Sequence, residues 1–457
     1  METLAPPSVG SEIRVASAPP GSPVEARWNL AFVGILAYLV VEYTRLPAMF
    51  AVLLNLQLGK VAVLLSLLGF LLAPRLRAGD RSPVRLIDVA LCVFVFASFL
   101  SACFARYQDK TWSGLADTLR MALICFLIGR IVTTSWRHRV FVFLLLLLNL
   151  KMAQFAIRGF FVEKEFGRSA EFLAKIGVGA GSVGFFSNAG DFGVAMCVVF
   201  PMAIMLLFGE TRKIPRLVLA ACFVAFSGAI LVCGSRGATL GAVVTALAAL
   251  ARNRRRLGVA LIFLLFIPAF FYMLPEANKH RLRSALDWQS DKTASQRMAL
   301  WKAGLRMFAD YPVLGVGPAN FPPSYSERYA GPDEDPEKWA PHSIYVQSLS
   351  ELGLAGTLPL LLLLFGLFRL NARTRKMVLG QGVDKRKSYD FNAALALDLA
   401  LIGYLVSGAF LTVLYYPHLW VLLGLSVGLY TANSRKQGVA AESGVEKKQQ
   451  NYTLAAS

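Results

Sequence analysis

Charge is scarce in this chain. Of its 457 residues only 16% are Asp, Glu, Lys or Arg, and four are His. No H-E-x-x-H stretch and no metal-spaced histidine pair occurs, so the sequence offers no metalloenzyme signature. The six cysteines, Cys92, Cys103, Cys125, Cys197, Cys222 and Cys233, fall inside apolar segments without a C-x-x-C pair. That is the pattern of buried small apolar residues, not of disulfides or metal ligands. A phosphate loop of the form G-x-x-x-x-G-K-S/T is missing, which removes the usual nucleotide-binding reading. The first 27 residues, rich in Pro, Ser and Ala, have neither the basic start nor the apolar centre of a signal peptide.

What the chain does have is long apolar runs, 56% of its residues being hydrophobic. A helix needs roughly 20 apolar residues to cross a hydrocarbon core of about 30 Å. Such segments lie near 29–42, 48–73, 86–104, 114–131, 139–157, 189–208, 216–234, 237–251, 257–274, 343–368, 392–414 and 417–432. They predict an all-α fold, a polytopic membrane helical bundle of about 12 transmembrane helices, because lipid leaves no partner for unpaired backbone groups.

Basic clusters alternate with these runs: Arg75, Arg77, Arg81 and Arg85; Arg130, Arg137 and Arg139; Arg212, Lys213 and Arg216; Arg252, Arg254, Arg255 and Arg256; and seven more between Arg369 and Lys387. The intervening loops hold only Arg45, Arg106, Lys110 and Arg236. The asymmetry predicts both termini in the cytoplasm. It also accounts for much of the net charge of +19 as topogenic, so no nucleic-acid partner is implied. The expected organisation is a flexible cytoplasmic tail over 1–27, a transmembrane region with about nine helices over 28–274, a large periplasmic loop over 275–342, further transmembrane helices over 343–434, and a second flexible cytoplasmic tail over 435–457.

Two outer loops are long. Residues 158–188 are glycine-rich and read as irregular or re-entrant backbone. Residues 275–342 carry nine residues of each charge sign and are electrically balanced, which is compatible with translocation. Within them Met298, Trp301, Leu305 and Phe308 recur at helical spacing, with a cap expected at Ser295 and a stop at Pro312. This predicts an amphipathic helix on the outer membrane surface or the bundle mouth.

Several side chains on that face carry chemistry. His342 stands where the long loop enters a span, Arg236 begins another span from the same side, and Arg297 lies on the loop helix. Each has a plainer reading alone: an interfacial histidine, a snorkelling arginine beside a Gly237-x-x-x-Gly241 contact, and the polar face of a helix. Glu351 falls inside a span, where a carboxylate must face protein or a water cavity. His418, among Tyr415, Tyr416 and Trp420, reads as an aromatic belt. The run "PDEDPE" reads as a solvated loop.

Three stretches in order, "GSRGATLGAVV", "SQRMALWKAGLRMFADYPVLGVGPANF" and "PHSIYVQSLSELGLAG", set around one outer loop, resemble the O-antigen ligase and O-antigen polymerase superfamily of bacterial polysaccharide enzymes. The resemblance spans about residues 185–370; the other spans match only in number and orientation. One position departs: Ser343 stands where the family usually has Asn after its His. The resemblance implies a multi-pass glycosyltransferase of the bacterial inner membrane, working at the periplasmic face on a glycan carried by undecaprenyl or another polyprenyl diphosphate. Its acceptor would be a glycan or lipid A-core hydroxyl, as in lipopolysaccharide or exopolysaccharide biosynthesis, or a protein hydroxyl in a related branch. By match to the family's histidine, His342 would be the catalytic base. Arg236 and Arg297 would bind the leaving diphosphate, to which guanidinium groups are suited. No cofactor, metal or ATP is expected. Two other classes remain open. A secondary transporter, such as a bicarbonate-type relative, predicts inverted repeats and midplane ionisable groups, for which Lys60, Arg120, Lys151 and Asp398 are candidates, though no convincing repeat is visible. A non-catalytic membrane assembly partner predicts that His342, Arg236 and Arg297 are each dispensable.

Overall fold

The computed structural model describes residues 27–44, 53, 55–73, 82–166, 189–252, 292–330, 339–382, 384 and 388–455. The expected tail through residue 26, the expected span 257–274, the glycine-rich stretch 167–188, residues 275–291 and the acidic run lie outside the described residues. Within them the chain is helical, with no strand.

Every other expected apolar segment carries a helix. In chain order these are α1 (Leu30–Thr44), α2 (Leu58–Leu72), α3 (Ser82–Cys103), α4 (Gln108–Ile131), α5 (Ser135–Phe166), α6 (Ala189–Gly209), α7 (Lys213–Val232) and α8 (Arg236–Arg252). Then come α9 (Lys292–Asp310), the short α10 (Phe321–Ser324), α11 (Ile344–Gly380), α12 (Tyr389–Gly408) and α13 (Pro417–Ala455). Six of the described helices, α3, α5, α6, α7, α11 and α12, are long and apolar enough to cross a membrane, while α1 and α2 are shorter apolar helices. Helix α13 continues to Ala455, past the expected start of a tail at 435.

Helices α6 and α12 form the centre, packed on each other, with α7 and α8 on one flank and α11 and α13 on the other. Small residues set the spacing, as helix association in lipid favours close backbone approach. A Cβ on Gly403 would lie 2.8 Å from Cys197 O, and one on Gly241 only 2.0 Å from Ser407 Oγ. The Gly237-x-x-x-Gly241 face of α8 therefore rests directly on the end of α12. Outward faces carry bare leucines and phenylalanines such as Leu64, Phe96 and Leu217, as a lipid-facing surface requires.

The one buried carboxylate among the four midplane candidates is Asp398, and it is fully engaged. Arg375 Nη1 lies 2.6 Å from one oxygen and Asn371 Nδ2 donates to the other at 2.9 Å. Lys60 and Lys151 are exposed, and Arg120 pairs on the surface with Asp117.

The loop helix exists, but its buried stripe is rotated from the expected one. Leu300, Ala303 and Met307 are buried, whereas Met298 and Leu305 are 40% and 51% exposed. The reason is Gly304: the helix comes so close to α11 that a Cβ there would lie 2.3 Å from Val346 Cγ1. The helix therefore turns Ala303 and Gly304 toward α11, with Leu300 and Met307 buried on either side, and Met298 and Leu305 point away.

The candidate site at one end of the bundle

Helix α11 is broken where it leaves that end. Gly353 has φ 57° and ψ −159°, a conformation essentially reserved for glycine, and the break frees backbone groups on either side. The segment after α9, "YPVLGVGPAN", takes them up. Val316 and Gly317 N–H donate to Ser350 and Glu351 carbonyls (2.8 and 3.0 Å), and Leu354 and Ala355 N–H donate to Pro312 and Val313 carbonyls (2.9 Å each). Gly315 and Gly317 also have positive φ, which lets this segment lie flat on the broken helix. Ser101 Oγ of α3 closes the junction by donating to Leu314 O (2.6 Å) and Glu351 O (3.0 Å). Irregular backbone at membrane depth is tolerated only when satisfied in this way.

Glu351 lies two residues before the break and is buried. Its carboxylate accepts from Tyr415 hydroxyl (3.0 Å) and Gln347 Nε2 (3.3 Å) and faces the backbone N–H groups of Ala319 and Phe321. It joins α11, the loop segment and the turn after α12.

That turn, Ala409–Tyr416, corrects the expected span 392–414: α12 stops at Gly408. Each residue from 412 to 416 is held by a hydrogen bond from or to another element. Thr412 Oγ1 accepts from His342 N–H (2.9 Å) and Val413 O from Tyr404 hydroxyl (2.6 Å). Leu414 N–H donates to Gln347 Oε1 (3.3 Å), while its carbonyl accepts from Trp420 Nε1 (3.1 Å). Tyr415 reaches Glu351, and the Tyr416 hydroxyl donates to buried Asp191 at the start of α6 (2.6 Å). The expected aromatic belt is therefore not at the lipid boundary. His418 and Trp420 are 3% and 0% exposed, drawn inward because the turn needs their α13 as a wall.

Around this turn the three sequence candidates are gathered. His342 is half-buried, has φ 45°, and is anchored to Thr412. Burial, reinforced by the positive charge of Arg297, lowers its pKa below the usual histidine value of 6.5. Arg297, 45 residues earlier in the chain, thus acts on His342 through space. One turn along α9, Trp301 stacks at 6.2 Å on Phe410. Phe410 in turn lies against Gly237, whose Cβ position is 3.2 Å from the Phe410 Cβ. Gly237 follows Arg236, the first residue of α8, which Ser235 caps by accepting from Ala238 N–H (3.3 Å). A helix start carrying an arginine, a second arginine and a neutral-leaning histidine thus share one end of the bundle, a setting suited to an anion.

The departure at position 343 has a local explanation. Ser343 is the N-cap of α11, its side chain accepting from Val346 N–H. Ser and Asn are equally good caps. Ser343→Ala is expected to cost about 1 kcal/mol of stability, and Ser343→Asn to cost almost nothing, as read by thermal unfolding in detergent. An equal loss in both variants would rule out the cap as the reason for this residue.

Sequence reasoning missed the turn, the break at Gly353 and Asp191. Only Gly353 left a trace, as one of the paired glycines in "ELGLAG". Among the described residues no three His, Cys, Asp or Glu side chains converge as a metal-ligand set.

Together these features define, among the described residues, an all-helical, membrane-embedded protein with a hydrogen-bonded turn and two arginines gathered at one mouth of the bundle. Residues 220–361, from α7 into α11, match the family model described as O-antigen ligase, which supports an O-antigen ligase-like superfamily for this chain. The matched stretch contains Arg236, Arg297, His342 and Glu351. No curated protein matches the chain.

Proposed function

We propose that the protein transfers a glycan from a polyprenyl-diphosphate carrier to an acceptor hydroxyl at the periplasmic face of the inner membrane, in a bundle of about 12 spans with both termini cytoplasmic. The observation that carries this reading is the convergence on one turn: Thr412 anchors His342, and Phe410 packs between Trp301, on the helix of Arg297, and Gly237, next to Arg236.

A sugar hydroxyl is a poor nucleophile until its proton leaves. His342, kept neutral by burial and by Arg297, accepts that proton as the oxygen attacks the anomeric carbon. The bond from that carbon to the carrier diphosphate breaks, and its electron pair leaves with the diphosphate. Arg236 and Arg297 meet the negative charge that develops there. The donor's own activated bond drives the transfer, so neither ATP nor a metal is required. The engagement of Asp398 by Arg375 and Asn371 favours this reading over a transporter, since that carboxylate serves helix packing.

The test is complementation of cells lacking the protein with wild type, Arg236→Ala or Arg297→Ala at matched membrane abundance, followed by separation of lipid-linked and mature glycans. Accumulated carrier-linked glycan with loss of product supports the reading, and wild-type product from both variants would remove it.

A pH dependence follows. Since His342 is shifted down, the base form persists below the ordinary histidine range, and the acid limb of kcat/KM should lie below pH 6.5. Arg297→Gln removes one of the two causes, so its residual activity should show that limb moved to higher pH. A limb that stays put or moves down would separate Arg297 from the base.

A further inference from the structure

A cavity of about 460 Å³ opens between α5, α6, α7 and α12 at the other end of the bundle. Helix α6 fixes the separation. Its first turn holds Asp191, bonded to Tyr416 of the candidate site, while its last residue, Gly209, packs on Asn392 in the cavity wall. Its 21 residues span about 30 Å, one hydrocarbon thickness. The cavity mouth therefore lies at the opposite membrane boundary from His342.

Its lining changes character with depth. Along α5, Val140, Phe143, Leu144 and Leu147 form an apolar wall faced by Leu206 and Leu219. At the mouth stand Arg139, Trp136, Tyr389 and Arg212. The charges there are unequally satisfied. Glu210 grips Arg212 with both oxygens (3.1 Å each), and that arginine pulls its carboxyl down to about 2. Arg139 is half-buried, its guanidinium 4.5 Å from the Tyr389 ring centre, and it is in no ion pair among the described residues. Lys213 and Arg216 follow directly on the adjoining turn. The site therefore has an excess of positive charge, Arg139 and Arg212 both acting on the Glu210 carboxylate, above an apolar slot and next to a lipid-facing surface that exposes Ile214 and Leu217.

We propose that this cavity binds one anionic glycerophospholipid from the adjacent leaflet, its phosphate on Arg139 and one acyl chain in the slot between α5 and α6. A half-buried cation at a membrane boundary calls for counter-charge beyond the one Glu210 carboxylate, and anionic headgroups of the adjacent leaflet supply it. The acyl chain completes a pocket whose walls are too apolar for a free anion. Bound there, the lipid bridges four helices. The inference does not depend on the transferase reading, because it involves none of that site's residues.

The test uses the full chain in detergent, with phosphatidylglycerol or phosphatidylcholine added at matched mole fraction and retained lipid counted by native mass spectrometry. Wild type should retain phosphatidylglycerol preferentially, unaffected by millimolar inorganic phosphate. Arg139→Gln should weaken that retention about tenfold or more, with Arg139→Lys intermediate. Leu147→Trp, at a partly exposed wall position where folding tolerates bulk, should displace both lipids by filling the slot. His342→Ala should bind lipid as wild type does. Equal retention of the two lipids by wild type, undiminished phosphatidylglycerol on Arg139→Gln, or displacement by inorganic phosphate would each overturn the proposal.

Discussion

Replacing His342 with Ala is expected to lower glycan transfer by about 10²- to 10⁴-fold, roughly 3–5 kcal/mol on the barrier, the usual contribution of a positioned general base. Membrane abundance should be unchanged, because His342 is tied to the turn by its backbone: its N–H, not its ring, donates to Thr412. The left-handed backbone at this position, φ 45°, is one that Asn tolerates well. His342→Asn therefore keeps the conformation but cannot take a proton, and should be as inactive as the alanine variant. Carrier-linked glycan should accumulate in both, and its length would separate a polymerase, which stalls at single repeats, from a ligase, which stalls with finished chains. Activity retained in His342→Asn would show that the position needs only its backbone shape.

The second large effect is expected at Gly353. A Cβ there would lie 2.4 Å from Val313 O, in a backbone region that only glycine occupies comfortably. Backbone strain of about 1–3 kcal/mol combines with displacement of the docked segment, so Gly353→Ala should lose roughly 3 kcal/mol or more. Gly315 faces the same contact from the other side, its Cβ position 2.5 Å from Glu351 C. The double variant Gly315→Ala/Gly353→Ala should thus lose less than the sum of the two, since either change alone undocks the segment. Thermal unfolding of the purified protein in detergent reads both effects. A loss below about 0.5 kcal/mol for Gly353→Ala, as at an ordinary surface position, would show that the broken-helix contact contributes nothing.

The two predictions concern the same mouth but different kinds of information. His342 and Arg236 stand at junctions between polar and apolar segments and Arg297 on the loop helix; each reads plainly alone, and the three could be named together because the stretches that carry them resemble one superfamily in order. The helix of Lys292–Asp310 was legible from its period, yet its buried stripe was not. Gly304 lets α9 approach α11 more closely than the bulkier residues on its expected face would allow. Likewise "AFLTVLYYPHLW" reads as apolar span and belt, although it opens with a turn whose polar partners come from α6, α12, α13 and the start of α11 with the residue before it.

By itself the sequence determined that the chain is helical and lives in a membrane, because these follow from apolar run length and from the need of backbone groups in lipid to pair within their own segment. Only the tertiary structure decided that "YPVLGVGPAN" docks on a broken α11, that Glu351 joins it to the turn after α12, and that Arg297 acts on a histidine 45 residues away. Those contacts depend on distances between segments far apart in the chain, and no local pattern encodes them.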